Sequence, residues 1–201
     1  MDWTSAVTHL AKADPRLAPL IEMHGHPTIK PGRDLVRSLV RAIVGQQLST
    51  KAADAIFGRF LAIYGGKRFP TAAVILATPD DKLRTAGLSG AKAASVKDVA
   101  RHVVEKRIAP AKIPRMNDEQ ISAALLPIRG IGPWSVDMFL MFTLARPDVL
   151  PVGDYAVRKG MQKHFRLRSL PDAKKMSKLA APWAPYRSIG SWYMWRLLES
   201  G

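Results

Sequence analysis

Apolar positions recur at helical spacing along most of this chain. Leu35, Val36, Leu39, Val40, Ile43, Val44 and Leu48 fall three and four residues apart, with Arg33, Arg37 and Arg41 off the stripe. That is the pattern of a helix with one buried face. A second helix is predicted over 50–63, closed by Gly65-Gly66. Pro70-Thr71 opens a short helix through Ala77, and Thr78-Pro79-Asp80-Asp81 supplies an N-cap and a proline-opened first turn for the next. Gly87-Leu88-Ser89-Gly90 reads as a loop. Residues 92–106 form an amphipathic helix with Val96, Val99, Val103 and Val104 on one side. Asn117-Asp118-Glu119-Gln120 resembles a capping box opening a helix over 121–126. A strongly apolar helix over 134–144 ends at Arg146-Pro147, and helices over 154–163, 174–179 and 191–198 follow. No stretch alternates as a strand would. The expected fold is all-α, with ten or so short helices joined by Pro and Gly.

At 201 residues and 47% hydrophobic content, the chain is large and apolar enough to fold around a real core. Charge changes the picture more. Lys plus Arg number 31 against 16 Asp plus Glu, a formal net charge of +15. Such an excess repels itself in a compact state. Nucleic acid is its commonest partner and an anionic membrane surface the second. No like-charge run appears, so the charge belongs to a folded surface. The absence of cysteine excludes disulfides, iron–sulfur clusters and thiolate metal sites. The start, Met1-Asp2-Trp3-Thr4-Ser5, lacks a signal-peptide pattern, and no apolar run is long enough to span a bilayer. A soluble intracellular protein without membrane association is expected.

The stretch Leu126-Pro127-Ile128-Arg129-Gly130-Ile131-Gly132-Pro133-Trp134 is a Gly-hydrophobic-Gly turn between two helical patterns. With the helices around it, 117–144 reads as a helix-hairpin-helix. The glycines permit unusual dihedrals and close backbone approach. The amides of Gly130, Ile131, Gly132 and Trp134 open onto a helix N-terminus, a ready anion site. On so basic a chain the anion is a DNA phosphate, held without sequence readout. Carbonyls of such a turn could also hold a monovalent cation.

Asp154 stands just beyond, in Gly153-Asp154-Tyr155. It suits an N-cap, and it also suits catalysis. Trp183, Tyr186, Trp192, Tyr193 and Trp195 crowd the C-terminal segment. They read equally as a packed terminal helix or as a stacking wall for an extruded base. Gln46 and Gln47 point about 100° apart on a helix, so one can face a cleft. The five histidines show no metal-ligand spacing, and no metal site is assigned to them.

Val44-Gly45-Gln46-Gln47-Leu48-Ser49, the hairpin Ile128 to Asp137, and Pro151-Val152-Gly153-Asp154-Tyr155 together resemble the helix-hairpin-helix DNA glycosylases with a Gly/Pro-rich loop and catalytic Asp. Within that superfamily the sequence is most similar to the DNA-3-methyladenine glycosylase II family, from about Arg33 to Trp195. Larger bacterial members carry an extra N-terminal β domain, so a minimal form is expected. The resemblance implies a single domain over 1–201. Its two helical lobes, 33–146 and 1–32 with 147–201, flank a DNA-binding cleft.

It also implies roles. Asp154 is the catalytic aspartate. Trp134 and Trp195 line the base pocket, with Gln46 or Gln47 facing the same cleft and Met138 where some relatives have a tyrosine. The carbonyls of Leu126, Ile128 and Gly130 match positions that hold Na+ or K+; no other cofactor is expected. Trp134 stands where bifunctional relatives have a Schiff-base lysine, and indole cannot form an imine. The loop Leu88-Ser89-Gly90-Ala91 lies where relatives insert a wedge, with Gly90 at the wedge position. Leu88 is then either a plug or core. The implied activity is monofunctional removal of 3-methyladenine- and 7-methylguanine-type bases from duplex DNA by a monomer inside the cell, in the cytoplasm or nucleoid if the source is bacterial. Two rivals stay open: a glycosylase for another lesion, and a non-catalytic DNA-gripping module.

Overall fold

The computed structural model describes residues 3–32 and 34–199; Arg33 and the first two residues, used above, lie outside them. Among the described residues every regular element is helical. The chain divides into two compact units, one from Gly32 to Phe139 and the other from the residues up to Pro31 with those from Leu140 on. The division falls seven residues ahead of the expected lobe boundary. The reason is packing: Ala145 sits in the second unit's core, and the Ser188 hydroxyl donates to the Arg146 carbonyl at 2.7 Å.

The first unit begins with α3 (Leu35–Gly45), counting α1 and α2 below, and continues through α4 (Thr50–Ala62), α5 (Ala72–Ala77), α6 (Asp80–Thr85), α7 (Gly90–Val104), α8 (Asp118–Leu125) and α9 (Pro133–Met138). Polar caps start most of these helices. Asp34, Ser49, Thr71 and Ser89 each accept the amide three residues on. Asn117 and Gln120 exchange a full capping box at 2.8 and 3.0 Å. Each cap is worth about 1 kcal/mol. The predicted stripe of α3 is its core face: Leu35, Leu39, Val40, Ile43 and Val44 are buried. It packs on α4 and α7, and α7 also takes α5.

Several boundaries differ from the pattern: α7 begins at Gly90, inside the predicted loop, and the last helix begins at Arg187, ahead of 191, and two more have a visible cause. The α3 stripe stops at Gly45 instead of running to Leu48, because Lys92 takes the Val44 and Gln46 carbonyls and Gln47 turns to φ 58. Thr78 does not cap α6. It ends α5, donating to the Val74 carbonyl at 2.8 Å, and Pro79 holds the cap position.

The second unit holds α1 (Thr4–Ala13), α2 (Ala18–His24), α10 (Tyr155–His164), α11 (Ala173–Leu179) and α12 (Arg187–Glu199). The sequence reading assigned nothing to α1 and α2. They complete a core of Leu10, Leu17, Leu20, Met161, Trp183, Tyr193 and Met194. Full burial of each such side chain contributes about 1.5–3 kcal/mol. The far end of α10 is tied by a buried cluster. Asp14 accepts from Arg16, His164 and Trp183 at 2.6, 2.8 and 3.1 Å. Burial raises the Asp14 pKa, but these donors outweigh it and hold the carboxyl below its ordinary range. Between α9 and α10 the chain passes from unit to unit through a π-helical turn, Phe139–Thr143, where one unbroken α-helix over 134–144 is predicted. No described helix is long and apolar enough to cross a membrane.

Candidate functional site

The hairpin lies between α8 and α9. Gly130 turns at φ 78, a backbone that glycine takes without strain, and a Cβ there would sit 2.7 Å from the Ser95 hydroxyl oxygen. Gly132 is extended and caps α9; Pro133 opens it. The Ile131 amide donates back to the Ile128 carbonyl at 3.0 Å, so it is used within the turn and is no phosphate donor. The Gly130 and Gly132 amides meet no protein acceptor among the described residues. They are open to an anion. Trp134, second in α9, is 43% exposed.

The Gln46 side-chain amide donates to the Gly130 carbonyl at 2.8 Å and to the Ser135 hydroxyl at 3.3 Å, so it braces the hairpin. Gln47 is exposed on the turn, and Met138 is half-buried.

Leu88 takes the core alternative: it is 3% exposed, packed beneath the loop, and cannot reach DNA as a plug without leaving that site. Ser89 and Gly90 are exposed at the start of α7, with Ser89 as its cap. The carbonyls of Leu126, Ile128 and Gly130 are the positions expected to hold a monovalent cation. Those of Ile128 and Gly130 each already accept one protein donor. No group of three or more His, Cys, Asp or Glu able to hold a metal ion occurs among the described residues.

The second unit positions Asp154. Asp154 is 8% exposed, and its carboxylate caps α10, with Oδ1 accepting the Val157 amide at 2.8 Å. The same oxygen accepts the indole N–H of Trp195, on α12, at 3.1 Å. The cap reading is therefore correct, and it leaves the chemical reading open. Phe142, 42% exposed in the π turn, tilts against Trp195 with ring centroids 5.5 Å apart. The sequence reading missed Phe142, because it lies inside an apolar run that looks like core throughout. Tyr155, next to the carboxylate, is 65% exposed. Trp183 and Tyr193, by contrast, are fully buried, so part of the aromatic crowd is core.

α10 can approach α12 because of Gly160. A Cβ there would lie 2.5 Å from the Met194 carbonyl oxygen and 2.7 Å from its Cβ. This contact sets the distance between the helix carrying Asp154 and the helix carrying Trp195.

Residues 40–185 match the model of the HhH-GPD superfamily of base excision DNA repair proteins, and the chain belongs to that family. Among individual proteins, it is 34% identical to DNA-3-methyladenine glycosylase 1 of Schizosaccharomyces pombe, over 96% of this chain and 86% of that one. It is 30% identical to the putative DNA-3-methyladenine glycosylase YfjP of Bacillus subtilis, over 95% of this chain and 68% of the relative. The solved structure of the S. pombe enzyme Mag1 in complex with abasic DNA superposes with a TM-score of 0.86 at 33% identity, covering 96% of each chain.

Trp195→Phe keeps the ring and removes the donor to Asp154. Hydrogen bonds to charged groups are worth about 1.5–3 kcal/mol, so base release under single-turnover conditions should fall about tenfold or more. Affinity for DNA should stay at the wild-type level. A rate within twofold of wild type would show that the indole N–H does not serve the carboxylate.

Proposed function

We propose that this chain is a monofunctional DNA glycosylase that excises alkylated bases, of the 3-methyladenine and 7-methylguanine type, from duplex DNA in base excision repair. The observation that carries the reading is the Asp154 carboxylate, almost buried at the head of α10 and held by Trp195, in a chain of the HhH-GPD family. The names of its relatives support alkylated bases as substrate, and the Mag1 complex with abasic DNA supports DNA as partner. The type II subtype follows from the motif resemblance.

The Gly130 and Gly132 amides and the excess of cations grip phosphates. The nucleotide rotates out at a cost of a few kcal/mol. The aromatic faces of Phe142 and Trp195 receive the base, and a cationic base gains about 0.5–2 kcal/mol per electron-rich face. N3- and N7-alkylated purines already carry positive charge. The C1′–N bond breaks with its electron pair leaving on the base, and no general acid is needed. Positive charge develops on the sugar, where Asp154 stabilises it electrostatically. Water attacks C1′ and loses its proton, to Asp154 or to solvent, leaving an abasic site and a free base. Na+ or K+ at the carbonyls of Leu126, Ile128 and Gly130 would screen the phosphate when bound. The protein acts as a monomer inside the cell, on nucleoid DNA if bacterial.

The test is incubation with methylated duplex DNA, with released bases identified by chromatography. 3-Methyladenine and 7-methylguanine should appear, and borohydride should trap no covalent protein–DNA adduct, since Trp134 has no amine. Release of an oxidised or mismatched base alone would shift the substrate class. A trapped adduct would overturn the monofunctional assignment, and no release of any base would leave a DNA-binding module.

A further inference from the structure

The hairpin does not hold its own shape. One face of α7 presents Lys92, Ser95 and Asp98, three residues apart and therefore stacked along the helix. Asp98 Oδ2 accepts the Arg129 amide at 2.9 Å. Ser95 fills the space where a side chain at residue 130 would go. The Lys92 ammonium donates to the Val44 and Gln46 carbonyls, both at 2.8 Å. These carbonyls are orphans of the α3 C-terminus, the negative end of the helix dipole, and an ammonium satisfies both. With its backbone fixed there, and with Gln47 left-handed beyond it, Gln46 directs its side-chain amide onto the Gly130 carbonyl and the Ser135 hydroxyl.

We propose that Lys92 and Gln46 form a positioning relay that fixes the hairpin for phosphate binding: Lys92 sets the turn after α3, and Gln46 carries that constraint to Gly130. The relay rests on the hairpin being the phosphate grip. Neither side chain is a phosphate ligand. Desolvation in this partly buried position lowers the Lys92 pKa from its ordinary value. The relay also ties the start of α7, where the loop 87–90 ends, to the hairpin through the same lysine.

The two roles for Lys92 differ in salt dependence. A lysine bound to phosphate releases a counterion and contributes roughly 0.9 to the slope of log affinity against log salt. A lysine that positions neutral amides contributes nothing to the slope, because amides release no counterion. Full-length wild type, Lys92→Met, Gln46→Ala and the double variant should be titrated with a duplex carrying a tetrahydrofuran abasic-site analogue, across a KCl series. Each single variant should bind about tenfold more weakly, from loss of the hydrogen bonds that fix the hairpin. The slope should be unchanged, and the double variant no weaker than the weaker single. Hydrogen exchange on the DNA-free protein should speed up at the Arg129 and Ile131 amides, with melting temperature within a few degrees of wild type.

A slope reduced by roughly 0.9 in Lys92→Met would make it a phosphate ligand and overturn the relay. Additive losses, or unchanged affinity and exchange in Gln46→Ala, would overturn it too. If Lys92→Met does not fold, Gln46→Ala decides the matter alone, since its side chain lies on a surface turn. If wild type fails to bind the duplex, the DNA-repair reading fails, while exchange at Arg129 and Ile131 still tests the relay.

Discussion

Asp154→Asn should lower single-turnover release of 3-methyladenine by about a thousandfold, on the scale seen when a preorganised electrostatic group is removed from an active site. Stability should change little. Asparagine is as good an N-cap as aspartate, and its side-chain oxygen can still accept from Val157 and Trp195. Affinity for an abasic-site duplex should also hold, because the phosphate grip is assigned to the hairpin amides. The variant therefore separates charge from structure: it keeps the cap and removes the carboxylate's charge. Some residual release of the most labile cationic bases is expected, since they partly activate themselves. Near-normal rates on 7-methylguanine would show that Asp154 serves only as a cap.

The second large effect is on folding. Gly160→Val should destabilise the protein by about 3 kcal/mol, at the upper end for overpacking a filled interior. The added atoms would meet the Met194 carbonyl oxygen at 2.5 Å, and a backbone atom cannot rotate aside as a side-chain tip can. Valine gains only a few tenths of a kcal/mol over glycine in helix propensity, far less than the clash costs. For a chain of this length the melting temperature should fall by about 6–12 °C. Base release per folded molecule should fall as well, because separating α10 from α12 lengthens the Trp195–Asp154 bond. A melting temperature within 2 °C of wild type, to be checked by calorimetry, would mean the helices reseat without strain (roughly 1 kcal/mol or less at this size).

The hairpin and the Asp154 turn were legible in the sequence as far as their local chemistry goes. The hairpin read clearly. Its capping box, its glycines and its proline-opened helix are local chemistry, with partners three or four residues apart, and Asn117 with Gln120 behave as their spacing predicts. Asp154 as the cap of α10 was legible for the same reason. Even so, the pattern overestimated the hairpin's donors: the Ile131 amide is used inside the turn. The boundary of α3 also escaped it, because the lysine that ends the helix lies 46 residues from Gln46.

The sequence by itself determined the helical class, the basic surface, the hairpin and the family motifs. Each depends on composition or on spacings within a turn or two of helix. Only the tertiary structure decided that Gln46 braces Gly130 across 84 residues, and that Trp195 reaches Asp154 across 41. It also decided that Leu88 is core and that Phe142 is exposed. Whether an apolar side chain is buried depends on what packs over it, and whether a polar one is free depends on partners brought by folding. Neither is a property of the residue's own neighbours in the chain.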